Sequence, residues 1–131
     1  MMKSILMVDD DATIRRIAEI SLTRIGKWHV RTAHSGLDAL AQLQDFTPDL
    51  IMLDVMMPEM DGPSTYNKIK SMPQFSRIPI VFMTAKVQKH ELQAYFDSGI
   101  SGVIQKPFDP VRLPVEIKEI YERAMIDRCV A

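Results

Sequence analysis

The sequence has little of several residue types on which other classes of protein depend. It contains one cysteine and five glycines among 131 residues. Because Cys129 is the only thiol, an internal disulfide and a thiolate metal site are excluded, and we interpret this residue as part of the carboxyl-terminal tail. The sequence has neither a glycine-rich phosphate loop followed by Lys-Ser or Lys-Thr nor the pattern Gly-x-Gly-x-x-Gly, so we expect no bound nucleotide.

Long apolar runs and an excess of charge of one sign are also missing. No apolar run approaches the roughly 20 residues of a membrane-spanning helix. Met1 to Ser4 lead directly into a short apolar segment, which does not fit a signal peptide. The formal net charge is −1 and the isoelectric point is near 6.3, so no overall field attracts nucleic acid or an anionic membrane. We therefore expect a cytoplasmic protein that contacts neither of them directly.

Short apolar runs alternate with segments of helical periodicity along the chain. The predicted strands are residues 4–8, 28–33, 50–53, 78–83 and 103–104. A segment with apolar residues at helical spacing follows each strand. Strict alternation of this kind implies a parallel sheet with helices on both faces and right-handed connections. The sequence therefore predicts an α/β fold with a doubly wound, five-stranded parallel sheet of order 2-1-3-4-5.

The composition predicts a single domain. A chain of 131 residues with 47% hydrophobic content corresponds to one hydrophobic core. No linker or low-complexity run divides the sequence. We therefore expect one domain over residues 1–131, with no output domain after the last helix.

Some helix positions are predicted individually. Asp11 is expected to cap the first helix rather than to bind a metal, and Arg15-Arg16 is interpreted as a solvated helix face. Ser35 begins a capping box, and its helix is expected to run to about Phe46. The fourth helix is expected to bury Leu92, Tyr95 and Phe96.

The segment from Pro48 to Pro63 carries the centre of the predicted site. Leu50 to Leu53 are consecutive apolar residues, which is typical of a strand covered on both faces, and Asp54 follows where that strand ends. Proline and glycine residues then interrupt regular structure. Asp54 is therefore predicted at the carboxyl end of a buried strand, beside a loop. Open α/β sheets bind their ligands at this edge.

Two further aspartates are predicted at the same edge. Asp9 and Asp10 follow the first strand, which neighbours the third strand in the predicted order. Clustered carboxylates repel one another unless one is protonated or a cation joins them, and we favour a divalent cation. Because the available ligands are hard oxygens, including the backbone carbonyl of Met56, the pattern favours Mg²⁺ or Mn²⁺ over zinc.

Thr84 and Lys106, at the ends of the fourth and fifth strands, complete a predicted phosphoryl site. A metal and a lysine neutralise the oxygens of a phosphoryl group in transfer, a threonine donates a hydrogen bond, and a carboxylate is the nucleophile. Asp54 is central among these side chains. We therefore predict that Asp54 carries the phosphoryl group.

Four motifs together resemble the receiver domain of two-component response regulators. They are Asp9-Asp10, the segment from Pro48 to Gly62, Thr84-Ala85 and Lys106-Pro107-Phe108. The resemblance covers nearly the whole chain and implies a flavodoxin-like fold. It also implies that Asp54 accepts a phosphoryl group from a sensor histidine kinase or a histidine phosphotransfer protein. Mg²⁺ would be held by Asp10, Asp54 and the Met56 carbonyl, and Asp9 would act mainly through a metal-bound water.

The same resemblance implies a phosphorylation-controlled switch rather than an enzyme with turnover. Its downstream partner would be a protein target or an output domain. A cis peptide bond between Lys106 and Pro107 is a further expectation. One alternative stays open, a phosphohydrolase of the haloacid dehalogenase type, which also uses an aspartate nucleophile with Mg²⁺. Such enzymes need a second acid two residues after the nucleophile, where this sequence has Met56.

The sequence departs from the family pattern at Val103. Receivers commonly carry Tyr or Phe three residues before the Lys-Pro, and in the family this ring swings inward on activation. A valine has one stiff χ1 angle and no ring. We therefore expect the signal to leave the site through the loop after Ala85 and the start of the fourth helix.

Overall fold

The computed structural model describes residues 1–85 and 88–130, without the side chains of Cys129 and Val130. The Cys129 side chain, which we interpreted as part of the tail, therefore lies outside the described residues. So do Lys86 and Val87, in the loop that we expect to carry the signal.

One sheet of five parallel strands forms the framework of the protein. The strands are β1 (Ser4–Val8), β2 (His29–Ala33), β3 (Leu50–Asp54), β4 (Ile80–Thr84) and β5 (Gly102–Gln105). Their order is β2-β1-β3-β4-β5, and Val8 pairs with Leu53 between β1 and β3. The predicted fold class and strand order are confirmed.

Helices follow the strands, as the alternating pattern predicts. They are α1 (Ala12–Ile20), α2 (Gly36–Gln42), α3 (Gly62–Lys70), α4 (Lys89–Ser98) and α5 (Leu113–Val130). A π-helical segment (Ser21–Ile25) continues α1, and a 3₁₀ turn (Pro73–Phe75) precedes β4. Among the described residues, no helix is both long and apolar enough to cross a bilayer.

The strands are buried because both faces of the sheet are covered. All five residues of β3 are buried. Its alternate side chains point to opposite faces, so Ile51 and Leu53 join one apolar cluster while Leu50 and Met52 join the other. Each fully buried aliphatic side chain contributes roughly 1.5–3 kcal/mol. The strand that ends in Asp54 is therefore fixed by packing on both of its faces.

Side-chain caps fix where two helices begin near the carboxyl end of the sheet. Asp11 accepts hydrogen bonds from the amides of Thr13 at 2.8 Å and Ile14 at 3.3 Å, which confirms its predicted role as an N-cap. Asp61 caps α3 in the same way and accepts from the amide of Ser64 at 2.8 Å. Both caps restrain the loops that follow β1 and β3.

Gly62, the first residue of α3, packs against the backbone at the end of β3. Its amide donates to the carbonyl of Val55 at 2.9 Å. A Cβ atom at this position would lie 2.6 Å from the backbone oxygen of Asp54, so only glycine allows the approach. The start of α3 therefore contacts the strand end that carries Asp54.

The predicted end of α2 is wrong. The helix ends at Gln42, and residues 43–45 form a turn in which the amide of Asp45 bonds to the carbonyl of Gln42 at 3.2 Å. Phe46 lies beyond this turn. Its ring packs edge-on against His29, with ring centroids 6.0 Å apart, and under the guanidinium of Arg31. These contacts with β2 keep Phe46 outside the helix.

The predicted buried face of α4 is only partly correct. Tyr95 packs its ring edge-on against Phe82 of β4, with centroids 5.0 Å apart, and Leu92 is partly buried. Phe96, however, is 45% exposed. The described part of α4 has no fully buried residue, because the helix meets the sheet along a narrow stripe and Phe96 falls outside it.

Candidate functional site

The structure brings Asp9, Asp10 and Asp54 together at the carboxyl end of β1 and β3. Each offers a carboxylate oxygen, and these oxygens lie within 4.8 Å of one another. Asp9 is fully buried and Asp54 is 4% exposed, whereas Asp10 is exposed. The strand order is the cause, because β1 and β3 are neighbours that end at the same edge. The cluster is therefore acidic at its base and open to solvent at Asp10.

Lys106 lies between two of these carboxylates. Its Nζ atom is 2.7 Å from Oδ2 of Asp9 and 3.1 Å from Oδ1 of Asp54. The lysine side chain is only 16% exposed, so both contacts are stronger than those of a surface ion pair. The peptide bond between Lys106 and Pro107 is cis, as predicted. The amide of Lys106 donates to the carbonyl of Thr84 at 2.8 Å and ties β5 to the end of β4.

The surroundings of Asp54 raise its pKa to about 6, from an ordinary 3.8. Burial is the largest cause, because it disfavours the charged carboxylate. A hydrogen bond and the charge of Lys106 act against this rise, as does a backbone hydrogen bond from Met56, while the charge of Asp9 adds to it. The negative charge of Asp54 is therefore incompletely compensated by the protein.

Lys106 stays charged at neutral pH. Burial lowers its pKa, but the hydrogen bonds and charges of Asp9 and Asp54 outweigh this effect and hold the pKa above the ordinary 10.5. The charged ammonium group of Lys106 therefore contacts two of the three aspartates in the cluster, Asp9 and Asp54.

The donor set suits a hard divalent cation. Asp9 already accepts two hydrogen bonds, from the Asp11 amide at 2.9 Å and from Lys106 at 2.7 Å. Asp10, which is exposed, and Asp54 are the other carboxylates of the cluster. Carboxylate oxygens without histidine or cysteine are the ligands that Mg²⁺ and Mn²⁺ prefer. Met56 lies two residues after Asp54, with a side chain that is 77% exposed.

Thr84 closes the same edge of the sheet. It is the last residue of β4 and is 4% exposed. In the parallel register its neighbour Met83 pairs with Asp54, so Thr84 follows directly beyond the level of the carboxylate. All the residues that the sequence indicated for the site thus lie at one edge.

Arg15 is a residue of this region that the sequence analysis missed. Arg16 is exposed, as predicted for a solvated helix face, but Arg15 is partly buried. Its Nη1 atom donates to the backbone carbonyl of Asp9 at 2.8 Å. The two arginines are indistinguishable in the sequence, and only the placement of α1 beside the end of β1 separates them.

A family model described as the response regulator receiver domain matches residues 5–118. Curated relatives include the probable transcriptional regulator ycf27 of Pyropia yezoensis, 38% identical over 93% of this chain and 49% of its own length. The transcriptional regulatory protein AfsQ1 of Streptomyces coelicolor is 37% identical over 93% of this chain and 52% of its own length. The chain thus spans about half the length of these relatives.

Among solved structures, the chemotaxis protein CheY4 of Vibrio cholerae superimposes with a TM-score of 0.85 and 31% sequence identity. The match covers 92% of this chain and 99% of that chain. These similarities give the phosphohydrolase alternative no support. Together with the arrangement of the acidic cluster and Lys106, they show that the chain belongs to the response regulator receiver domain family.

Proposed function

We propose that this receiver accepts a phosphoryl group on Asp54 from a sensor histidine kinase or a histidine phosphotransfer protein. Phosphorylation then changes its binding to a downstream protein or an output domain. The observation that carries the proposal is the Asp54 carboxylate, which is 4% exposed and lies 3.1 Å from the Lys106 ammonium within the aspartate cluster.

Asp54 is the best candidate of the three aspartates for the nucleophile. Asp9 is fully buried, and both its carboxylate oxygens already accept hydrogen bonds. Asp10 is exposed and has no resolved contact with Lys106 in the described structure. Asp54 alone combines a near-buried carboxylate, a direct contact with Lys106 and a place beside the end of β4.

The transfer step follows from the chemistry of these groups. A carboxylate oxygen of Asp54 attacks the phosphorus of a phosphohistidine, and the P–N bond breaks with its electron pair leaving on the imidazole, which takes up a proton. The product is an acyl phosphate on Asp54. Lys106 neutralises charge on the phosphoryl oxygens, and the Thr84 hydroxyl donates a hydrogen bond to one of them. Attack by water later restores the carboxylate and releases inorganic phosphate.

The carboxylates of the site would hold Mg²⁺, or Mn²⁺ with the same oxygen ligands. We assign Asp10, Asp54 and the Met56 carbonyl as direct ligands, with Asp9 acting through a water. When bound, the ion supplies positive charge to the carboxylates and to the incoming phosphoryl group. Because Asp10 is exposed, it is the carboxylate that a hydrated ion meets first.

The proposed activity is that of a switch that modifies itself, not that of an enzyme with turnover. A phosphohydrolase would release phosphate continuously from p-nitrophenyl phosphate with Mg²⁺. We expect no sustained release from this chain, because Met56 stands where such an enzyme has its second acid.

The partners of residues 1–131, which we propose act as one receiver domain, would be proteins. The curated relatives are named as transcriptional regulators and are about twice as long as this chain. A formal net charge of −1 gives this chain no overall positive field that would attract DNA. We therefore propose that it contacts a kinase or phosphotransfer protein and a protein target, and not nucleic acid directly.

Val103 is the reason why we propose that the signal leaves the site through α4 and not through β5. In β5 it pairs with Phe82 of β4, and the ring that packs on Phe82 from the side of α4 belongs to Tyr95. Movement at the end of β4 would therefore reach α4 through an aromatic contact, whereas β5 offers only a small, stiff side chain. We propose that the signal passes from Thr84 toward the start of α4.

The first prediction concerns the phosphoacceptor. Phosphoramidate or acetyl phosphate with Mg²⁺ should add one phosphoryl group to the native chain and none to Asp54→Asn, because an amide is not a nucleophile under these conditions. Intact-mass spectrometry measures the addition. Asp97→Asn, at an exposed position of α4, is the matched control and should label normally. Equal labelling of Asp54→Asn would refute the assignment.

A second prediction concerns the metal. Asp10→Asn should weaken Mg²⁺ binding at least tenfold, the order of magnitude expected for loss of a metal contact. Asp11→Asn should change it by less than about twofold, because asparagine also caps helices. Competition of Mg²⁺ against Mn²⁺, followed by electron paramagnetic resonance, measures both affinities. Equal losses in the two variants would show that the ligands lie elsewhere.

The raised pKa of Asp54 predicts a pH-dependent stability in the absence of metal. Between about pH 4 and pH 6 the folded chain binds more protons at Asp54 than the unfolded chain, so stability falls as the pH rises through this window. The difference between 3.8 and about 6 corresponds to an upper limit of about 3 kcal/mol at neutral pH.

Asp54→Asn should remove this cost. In EDTA, urea unfolding should show the variant more stable than the native chain by about 1–3 kcal/mol at pH 7.5 and by almost nothing at pH 4. Glu119→Gln, which makes the same chemical change at an exposed position of α5, should show no such pH-dependent gain. A gain for Asp54→Asn that is independent of pH would contradict the electrostatic explanation.

The last prediction of this section concerns the output. Beryllofluoride, which mimics a phosphoryl group on Asp54, should shift the amide signals of Ala85 and Gln88 more than that of Val103. In Val103→Tyr, which restores a ring, the signal of residue 103 should shift more than in the native chain. The proposal fails if Val103 and the α5 stretch from Leu113 to Tyr121 shift as strongly as Ala85 in the native chain.

A further inference from the structure

A cavity lies at the amino end of β4 and β5, the edge of the sheet opposite to Asp54. Its volume is about 480 Å³, within the usual range for sites that bind small molecules. It is lined by four parts of the chain: the end of α3, the segment before β4, the α4–β5 connection and the last turns of α5. The lining residues that matter are Lys70, Arg77, Phe96, Arg123, Asp127 and Arg128.

Positive charge is concentrated around this cavity. Four of its lining side chains are cationic and one, Asp127, is a carboxylate. The whole chain, by contrast, carries a formal net charge of −1. The fold therefore gathers these cations from three separate segments of a nearly neutral sequence. A cavity lined in this way attracts anions.

Two of the four cations have structural contacts. Nζ of Lys70 donates to the backbone carbonyls of Ser76 and Ile78, both at 2.8 Å. Arg128 donates to the backbone carbonyl of Arg77. These two side chains clamp the segment that leads into β4, but carbonyl groups are neutral and leave the positive charges uncompensated.

The cations are close enough to affect one another. Burial lowers the pKa of Lys70, and the nearby charge of Arg128 lowers it further. Within the ranges 1–85 and 88–130, no carboxylate lies within ion-pair distance of any of the four cations. An anion in the cavity would relieve this repulsion.

The other two cations, Arg77 and Arg123, are exposed and approach the cavity from different segments. Lys70 and Arg128 hold the segment that leads into β4. This structural role does not account for the guanidinium groups of Arg77 and Arg123. Guanidinium groups match the geometry of phosphate oxygens and bind them with paired hydrogen bonds. Phe96, 45% exposed, adds an aromatic surface at the same cavity.

We propose that this cavity binds a small organic phosphate that carries two negative charges and a ring or other apolar group. Arg77 and Arg123 would hold the phosphate oxygens, and Phe96 would contact the apolar part. Lys70 and Arg128 would add charge without leaving the carbonyls that they hold. This site is distinct from the aspartate cluster, because it needs no metal and lies at the opposite edge of the sheet.

Phenyl phosphate is a suitable probe, since it combines a phosphate dianion with a ring. Titrated in EDTA into the ¹⁵N-labelled chain, it should shift the amides of Arg77, Gly99 and Ser101 saturably, with a Kd at or below about 1 mM. Arg77→Gln and Arg123→Gln should each weaken binding about three- to tenfold. The exposed Arg16→Gln in α1 is the matched control and should leave the affinity unchanged.

Two further comparisons test the ligand class. Phe96→Ala should weaken binding of phenyl phosphate but not of inorganic phosphate, and phenol alone should not bind. Absence of saturable shifts, native affinity in both arginine variants, or binding of phenol as tight as that of phenyl phosphate would overturn the proposal. Poly-glutamate that binds where phenyl phosphate does not would also overturn it, in favour of an acidic protein partner. Because EDTA removes metal, failure of these tests would leave the assignment of Asp54 unaffected.

Discussion

The contact of Lys106 with Asp9 and Asp54 is the interaction on which the rest of the site depends. Asp54 ends β3 and Asp9 directly follows the neighbouring β1, and both are almost completely withdrawn from water. Two carboxylates so placed would repel each other strongly without a counter-charge. Lys106 supplies that charge from a position 97 residues after Asp9. Loss of this lysine would leave two buried carboxylates without a counter-charge, a change that typically costs about 3–5 kcal/mol. The lysine therefore stabilises the fold and organises the site at once.

The compensation that Lys106 provides is partial, so the pKa of Asp54 stays above its ordinary value. A pKa of about 6 for Asp54 means that its ionised form, which the proposed phosphoryl transfer requires, is disfavoured in the folded protein. A divalent cation at Asp10 and Asp54 would offset this effect and favour the nucleophilic form. Metal binding, ionisation of Asp54 and acceptance of a phosphoryl group are thus expected to be linked.

The sequence predicted where Asp54 lies in the fold because continuous apolar runs that end in acids have few other structural solutions. Leu50 to Leu53 must be buried on both faces, and this places Asp54 at a strand end whatever the details of the helices. Properties that depend on the tilt of a helix against the sheet were not predictable. Arg15 contacts Asp9 while Arg16 faces solvent, and Phe96 is exposed although its spacing fits the buried stripe of α4. The cavity beside Phe96 could not be predicted from the sequence either, because its cations come from segments that are far apart along the chain.

The direction of the helices favours the aspartate cluster at one edge of the sheet and the cations of the cavity at the other. In a sheet of parallel strands, each connecting helix runs back against the strands, so helix amino termini lie near the strand ends that carry Asp9 and Asp54. The partial positive charge of those termini favours carboxylates and phosphoryl groups. The carboxyl termini of α3 and α5 lie at the opposite edge, where their partial negative charge favours Lys70 and Arg128 in the last turns. A nearly neutral chain can therefore have an acidic edge that suits the proposed metal and a basic edge that suits the proposed anion, because backbone dipoles of the same fold stabilise both.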